Sequence, residues 1–119
     1  WFLVQKHLPK TTYKQKLIQA KANGFKVKLL FFWLPTIEMA INRVAIRVSE
    51  GGHNIPSDVI ERRYSRGIEN LFKIYIPLCD EWAVFDNSYE TPQLIAEGIQ
   101  SEAIIANNES WILLKSKIS

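Results

Sequence analysis

This chain has little with which to cross-link itself or to bind a soft metal. Its one cysteine, Cys79, excludes an internal disulfide and fits a reducing, cytoplasmic setting. Two histidines far apart, His7 and His53, supply no zinc-ligand spacing, and no metal site is expected. With only five glycines, it contains no Gly-x-x-x-x-Gly-Lys-Ser/Thr loop, so the chain alone lacks a triphosphate cradle. The longest apolar run, Leu29 to Pro35, is far short of the ~20 residues that span a bilayer. No Ser-His-Asp arrangement, close paired carboxylates in a glycine-rich setting, internal repeat or low-complexity stretch stands out. No signal peptide is visible, and an opening Trp1 rather than Met predicts a chain cut from something longer.

What is present is a core and an uneven charge. At 119 residues, 47% hydrophobic and 12% aromatic, the chain is expected to fold as a single domain (1–119), or part of one. A domain of this size buries roughly two-thirds of its unfolded surface. The net charge is only +3, yet every arginine (Arg43, Arg47, Arg62, Arg63, Arg66) falls within one short stretch. Seven of the lysines, from Lys6 to Lys28, occupy the first quarter. Scattered lysines are usually a solvated helix face, whereas arginine's planar fork engages phosphate oxygens in pairs.

Residues 1–10 show no period. Tyr13, Leu17 and Ala20 then recur at helical spacing from Thr12 to Asn23, with Gly24 as the stop. Phe25 to Trp33 alternates and then becomes continuously apolar, as a parallel strand covered on both faces does. Thr36 is placed to cap a second helix with Glu38 in its first turn. Its inward positions are Ala40, Ile41, Val44, Ala45 and Val48, with Arg43 and Arg47 on another face. Gly51-Gly52 ends it and predicts a flexible hinge into His53-Asn54-Ile55-Pro56. Ser57 is the predicted cap of a third helix with the stripe Ile60, Tyr64, Ile68, Leu71, Tyr75 and Leu78, ended by Pro77. Trp82 to Asp86 predicts a second buried strand closed by the Asn87-Ser88 turn. Leu94–Ile99 and Ala103–Ile105 predict an edge hairpin, and Asn108 the cap of a last helix.

Strand, helix, helix, strand predicts an α/β unit with a parallel sheet, whose ligands bind beyond the carboxyl ends of the strands. Those ends, the start of the second helix and a lid of about residues 49–66 therefore converge, and the chemistry points to phosphate. Arg62, Arg63 and Arg66 share a face opposite the apolar stripe. They either clamp phosphate or form surface ion pairs with Asp58, Glu61 and Glu69. His53 is either a general base or, preferred, a loop-shaping residue hydrogen-bonded to backbone. Asp86 is either a metal- or substrate-positioning residue or a turn former. Cys79 is read as core.

Trp33-Leu34-Pro35, Ala40 through Arg43-Val44-Ala45-x-Arg47-Val48, Gly51-Gly52-His53-Asn54-Ile55-Pro56, Arg62-Arg63-Tyr64-x-Arg66-Gly67 and Asp86-Asn87-Ser88 carry a resemblance. From about Thr12 to Ile95 the sequence resembles the zeta-toxin-like P-loop kinases, small bacterial proteins also labelled predicted ABC-type ATPases. The resemblance implies a partial P-loop kinase fold with an arginine lid over ATP and Mg2+. Arg47, Arg62, Arg63 and Arg66 would grip the ATP phosphates as catalytic residues. Arg43, His53, Asn87 and Ser88 complete the nucleotide-binding set, with Asn87 and Ser88 near the adenine. Zeta toxins phosphorylate UDP-N-acetylglucosamine. The family's first strand, phosphate loop and catalytic acid lie upstream of Trp1, and Gln5-Lys6-His7 stands where relatives commonly show Glu-Thr-Thr.

The expected function is thus the C-terminal part of an ATP-dependent small-molecule kinase, without turnover as this fragment. The alternative is a truncated, non-catalytic remnant acting as a binding or regulatory module. Nucleic-acid binding through the lysines lacks a supporting motif. An antitoxin partner, or self-association through exposed sheet, is the further expectation.

Overall fold

A computed structural model of the chain describes residues 2–4, 12–99 and 102–118. The elements are β1 (Phe2–Val4), α1 (Thr12–Ala22), β2 (Val27–Trp33), α2 (Ile37–Ser49), α3 (Ser57–Asn70), a π turn (Leu71–Tyr75), α4 (Ile76–Leu78), β3 (Glu81–Asp86), β4 (Gln93–Ile99), β5 (Glu102–Ile105) and α5 (Asn108–Ser116). The strands form one sheet in chain order. β1, β2 and β3 run parallel, and β4 and β5 return antiparallel. The α/β class is as expected, but the sheet is mixed, because the C-terminal hairpin joins it through β3. β1 lies where no period was visible; three residues are too few to show one, and the strand exists through its pairing with Val27–Leu29. Gln5, Lys6, His7 and the Tyr13 side chain lie outside the described residues.

Topology decides which face of the sheet is covered. Parallel crossovers are right-handed, and both crossovers here step the same way across the sheet. Both therefore lay their helices on one face. Val27, Leu29, Phe31 and Trp33 of β2, with Trp82 and Val84 of β3, are buried there against Leu17 of α1, Ile68 of α3, Leu71, Tyr75 and Leu114. The alternate residues stay out of this core. Leu30, Phe32, Phe85 and Leu94 are half-buried, Ile99 and Ile104 are exposed, and Phe32 stacks on Phe85 at 5.3 Å. The apolar run of β2 predicts cover on both faces; only one enters the core.

The predicted stripe is where α3 meets that core. Ile60, Ile68, Leu71 and Tyr75 are buried, and Tyr64 and Leu78 half-buried. Each buried side chain of this size contributes about 1.5–3 kcal/mol, which dominates over ion pairs on the outer face. Pro77 has no N–H to return to the preceding turn. The helix widens just before it, with Ile76 N–H donating to the Leu71 carbonyl, and ends at Leu78. Asp80 then locks the sheet: its carboxylate accepts from Val27 N–H at 2.7 Å, and its own N–H donates to the Val27 carbonyl at 2.9 Å.

Several boundaries differ from expectation. α2 buries none of its residues and rests chiefly on α3; Ala45, predicted inward, is exposed. Pro56, not Ser57, holds the cap position of α3, its carbonyl accepting from Val59 and Ile60 N–H. Asn107, not Asn108, caps α5, through a 3.1 Å bond from Ser110 N–H. Cys79 is core as predicted, and burial pushes its thiol up to about 12, which keeps it protonated and inert.

α5 closes the covered face through aromatics. Trp111 stacks on Trp82 at 5.7 Å and tilts against Phe72 at 5.3 Å. Gly98, across the ladder from Trp82, makes this possible: a Cβ there would fall 2.2 Å from the Trp82 indole nitrogen. Gly98→Ala should therefore displace the indole and lower stability by about 1–3 kcal/mol, the usual range for overpacking. Chemical denaturation followed by tryptophan fluorescence checks this, and a wild-type midpoint and spectrum would contradict it.

Candidate functional site

β2 and β3 end side by side, with Trp33 paired to Asp86, and Asn87 N–H extends the ladder to the Trp33 carbonyl at 2.7 Å. The chain leaves β2 through Leu34-Pro35-Thr36. The Thr36 hydroxyl accepts from Met39 N–H at 3.2 Å, the predicted cap, and Glu38 lies in the first turn of α2. It leaves β3 through Asp86-Asn87-Ser88. Asp86 is buried, and its Oδ1 accepts from Ser88 N–H at 2.9 Å and from Ser88 Oγ at 2.6 Å. Of the two readings of Asp86, this geometry makes it the turn former. No group of three His, Cys, Asp or Glu residues able to hold a metal occurs among the described residues.

Both arginine-bearing helices are tied to these strand ends. Arg43, half-buried on α2, donates through Nη2 to the Asn87 carbonyl. Tyr64, from the stripe of α3, donates its hydroxyl to the Leu34 carbonyl at 2.6 Å. Burial raises the Tyr64 phenol above its ordinary 10.0, with the Trp33 indole N–H opposing and the Glu38 carboxylate reinforcing. It remains a donor at neutral pH. Tyr64 was legible as a stripe residue, but its role as a tether was not, since nothing local marks a partner thirty residues upstream.

Arg47, Arg62, Arg63 and Arg66 are all exposed. Arg62 lies 3.8 Å from Asp58, between side chains that are mostly in solvent, a pair worth at most about 1 kcal/mol. Glu69 is taken by Lys73 at 2.8 Å; that bond first, then the Lys73 charge, lowers the Glu69 carboxyl, with Arg66 adding a weaker through-space effect. The side chains of Arg47 and Arg63 have no hydrogen-bond or ion-pair partner among the described residues. Of the ion pairs expected with Asp58, Glu61 and Glu69, only that with Asp58 forms.

The segment 49–66 is less a hinge than two capped helix ends. Gly51, at φ 98°, donates to the Val48 carbonyl, and Gly52 donates to the Arg47 carbonyl at 2.7 Å. These are the two bonds of a Schellman cap. A Cβ on Gly52 would sit 2.8 Å from the Arg47 oxygen. Both glycines are thus used to stop α2 sharply, which corrects the flexible-hinge reading. The loop-shaping bond expected of His53 is not made among the described residues; its side chain is exposed between the two arginine helices.

Beside the Asp86 turn lies an open cavity of about 400 Å³, walled by Asp86, Tyr89, Gln93 and Asn107 among others. Gln93 donates its amide to the Thr91 carbonyl at 3.1 Å, and Asn107 spends its oxygen on capping α5. That leaves the Gln93 amide oxygen to accept from a ligand and the Asn107 amide nitrogen to donate to it. Sequence reasoning missed these two; only the Asn107-Asn108 pair before a helix signalled a polar position there.

No protein-family model matches the chain, and no solved structure matches it. An uncharacterized protein of Haemophilus influenzae is 38% identical over 50 residues, which is 42% of this chain. The match spans 36% of that protein's length. No helix among the described residues is long and apolar enough to cross a membrane.

Two substitutions test how the site is held. Gly51→Ala places a side chain at positive φ and should cost about 1–2 kcal/mol, with Gly51→Asn costing less; equal stability of the two variants in urea melts would contradict the cap. Arg43→Met keeps the stem but removes the donor to Asn87, and a loss of about 1.5 kcal/mol is expected for a charged hydrogen bond. An unchanged melt would mean that Arg43 does not tie α2 to β3.

Proposed function

We propose that this chain is the C-terminal portion of a zeta-toxin-like, ATP-dependent small-molecule kinase, and that its own task is to grip the polyphosphate. The observation that carries the reading is the bond from Arg43 to the Asn87 carbonyl. It joins the arginine-bearing α2 to the turn that closes β3, at the end of the sheet where α/β folds place ligands. Arg47 and Arg63, without protein anions of their own, are available to phosphate oxygens.

The donor set fits the triphosphate of ATP. Arg47, Arg63 and Arg66 would neutralise its oxygens, and Arg62 joins them by leaving Asp58 at little cost. His53, exposed between the two helices, adds a donor at the rim. Arg43 and Asp86 act one step back, shaping the Asn87-Ser88 turn. The base would lie in the adjoining cavity, against Tyr89 and the free amide groups of Gln93 and Asn107. When bound, ATP would supply a γ-phosphoryl group for a hydroxyl acceptor, by resemblance that of a nucleotide sugar. The described residues do not fit Mg2+, since no carboxylate cluster is present. The chain by itself is therefore expected to bind without turning over.

Calorimetric titration of the chain with ATP and with inorganic tripolyphosphate tests this. Both should bind, and each arginine in contact with phosphate should weaken binding about tenfold on replacement by Ala. Affinity unchanged in the Arg62→Ala, Arg63→Ala, Arg66→Ala triple variant would sink the reading. Binding of ATP but not tripolyphosphate would move the contact from the arginines to the base cavity.

A further inference from the structure

β5 is the last strand of the sheet, and all four of its residues are exposed. Its inner side is used by β4, with Glu97 opposite Ile104 and Ala96 opposite Ile105. Ala106 N–H donates to the Ile95 carbonyl at 2.8 Å, one step beyond that register. Antiparallel ladders alternate hydrogen-bonded and non-bonded pairs. Residues 102, 104 and 106 therefore spend their backbone groups on β4. Ala103 and Ile105 turn their N–H and C=O outward, where nothing pairs with them among the described residues. α5 does not cover this side, because it folds back over β4 and stacks Trp111 on Trp82.

An open edge of this kind is a template for another strand. Of the usual protections it has only its shortness and one charge, Glu102; it carries no proline and no bulge. We infer that β5 is a self-association edge, at which two copies of the chain pair their β5 strands antiparallel about a two-fold axis through Ile104. This rests on the edge alone and is independent of the nucleotide reading.

The register follows from backbone and charge. With the axis through Ile104, Ala103 faces Ile105 of the second copy, and the reverse. The outward N–H and C=O of all four residues then exchange hydrogen bonds. Ile104 faces Ile104 in the close, non-bonded position, where side chains approach most. Glu102 faces Ala106 of the second copy, so the two carboxylates do not meet. On the covered face a small residue meets a large one. An axis between two residues would instead set the covered face of one sheet beside the open face of the other. Centred on Ile104, the pairing also continues the exposed apolar row of Ile99 and Ile104 from one copy into the next. That self-complementary register, in which no two charges meet, is what favours a second copy over a foreign strand.

Sedimentation equilibrium of the full chain, with amide exchange at low and high protein concentration, tests the inference. A reversible dimer is expected, in which the Ala103 and Ile105 amides become slow to exchange as concentration rises. The Ile104 amide, already bonded to β4, should not change. Ile104→Lys, which opposes two cations across the axis, and Ile105→Pro, which removes only an outward donor, should each weaken the dimer at least tenfold with unaltered circular dichroism. A chain that stays monomeric at every concentration overturns the inference. So does association that persists in both variants, or that leaves Ala103 and Ile105 exchanging fast; those results point to the open sheet face or to a foreign strand.

Discussion

From Lys28 beside Glu81 to Trp33 beside Asp86, β2 and β3 share one parallel ladder, and Asp80 locks its start by exchanging two hydrogen bonds with Val27. The rest of the molecule hangs on that register. It sets Leu29 beside Trp82 and Phe31 beside Val84 on the covered face, where α1, α3 and α5 all pack. It also brings the two exits of the sheet together, Leu34 on one side and Asn87 on the other. A slip of one residue would turn one strand over against the other, bringing either Leu30 and Phe32 or Ala83 and Phe85 inward and exposing that strand's share of the present core. The same slip would separate the Tyr64 and Arg43 tethers from their carbonyls.

The arginine segment divides into two parts with different physics. Arg43 is spent on protein: it is half-buried and bonded to a backbone carbonyl, so its charge helps to hold α2 in place. The arginines of α3 sit on the solvent side of a helix whose inner side is anchored by Ile60, Ile68 and Leu71. Burial of that stripe outweighs any surface ion pair, so the cationic face is a consequence of where the stripe goes. Such a face is rigidly presented rather than carried on a swinging loop. Gly51 and Gly52 agree with this, since both are consumed by the cap of α2.

Most elements were legible because their periods are long. The stripe that starts on α3 runs from Ile60 to Leu78, and β2 and β3 carry the apolar runs Leu29–Trp33 and Trp82–Phe85. The Asn87-Ser88 turn also showed, through its turn-forming residues, and the hairpin through its two short apolar segments. What was not legible depends on partners distant in sequence. β1 is three residues whose structure comes from the edge of β2. The bond between Tyr64 and Leu34, and that between Asp80 and Val27, join segments that no local pattern relates. Cap positions slipped by one: at Asn107 a second asparagine offered equal chemistry, whereas Pro56 holds its position with no side-chain acceptor. Arg43 was legible as a cation near phosphate but not as a tether, because residue type does not reveal which acceptor it finds.

Strand order carries the final constraint. In an open α/β sheet, a reversal of strand order makes the crevice that receives a ligand and places helices on both faces. The described parallel strands step in one direction only. Their helices crowd one face, and no crevice opens between diverging crossovers. A site at the strand ends must then be assembled from the exits themselves, from Thr36, the Asp86-Asn87-Ser88 turn and the helices tied to them. The same ordering leaves the β5 edge open. The two regions are mechanically joined: Ala106 and Asn107, which follow directly from β5, both donate to the Ile95 carbonyl and wall the cavity beside Asp86. Whatever straightens or twists β5 acts on that wall through two backbone hydrogen bonds, with no flexible loop between them.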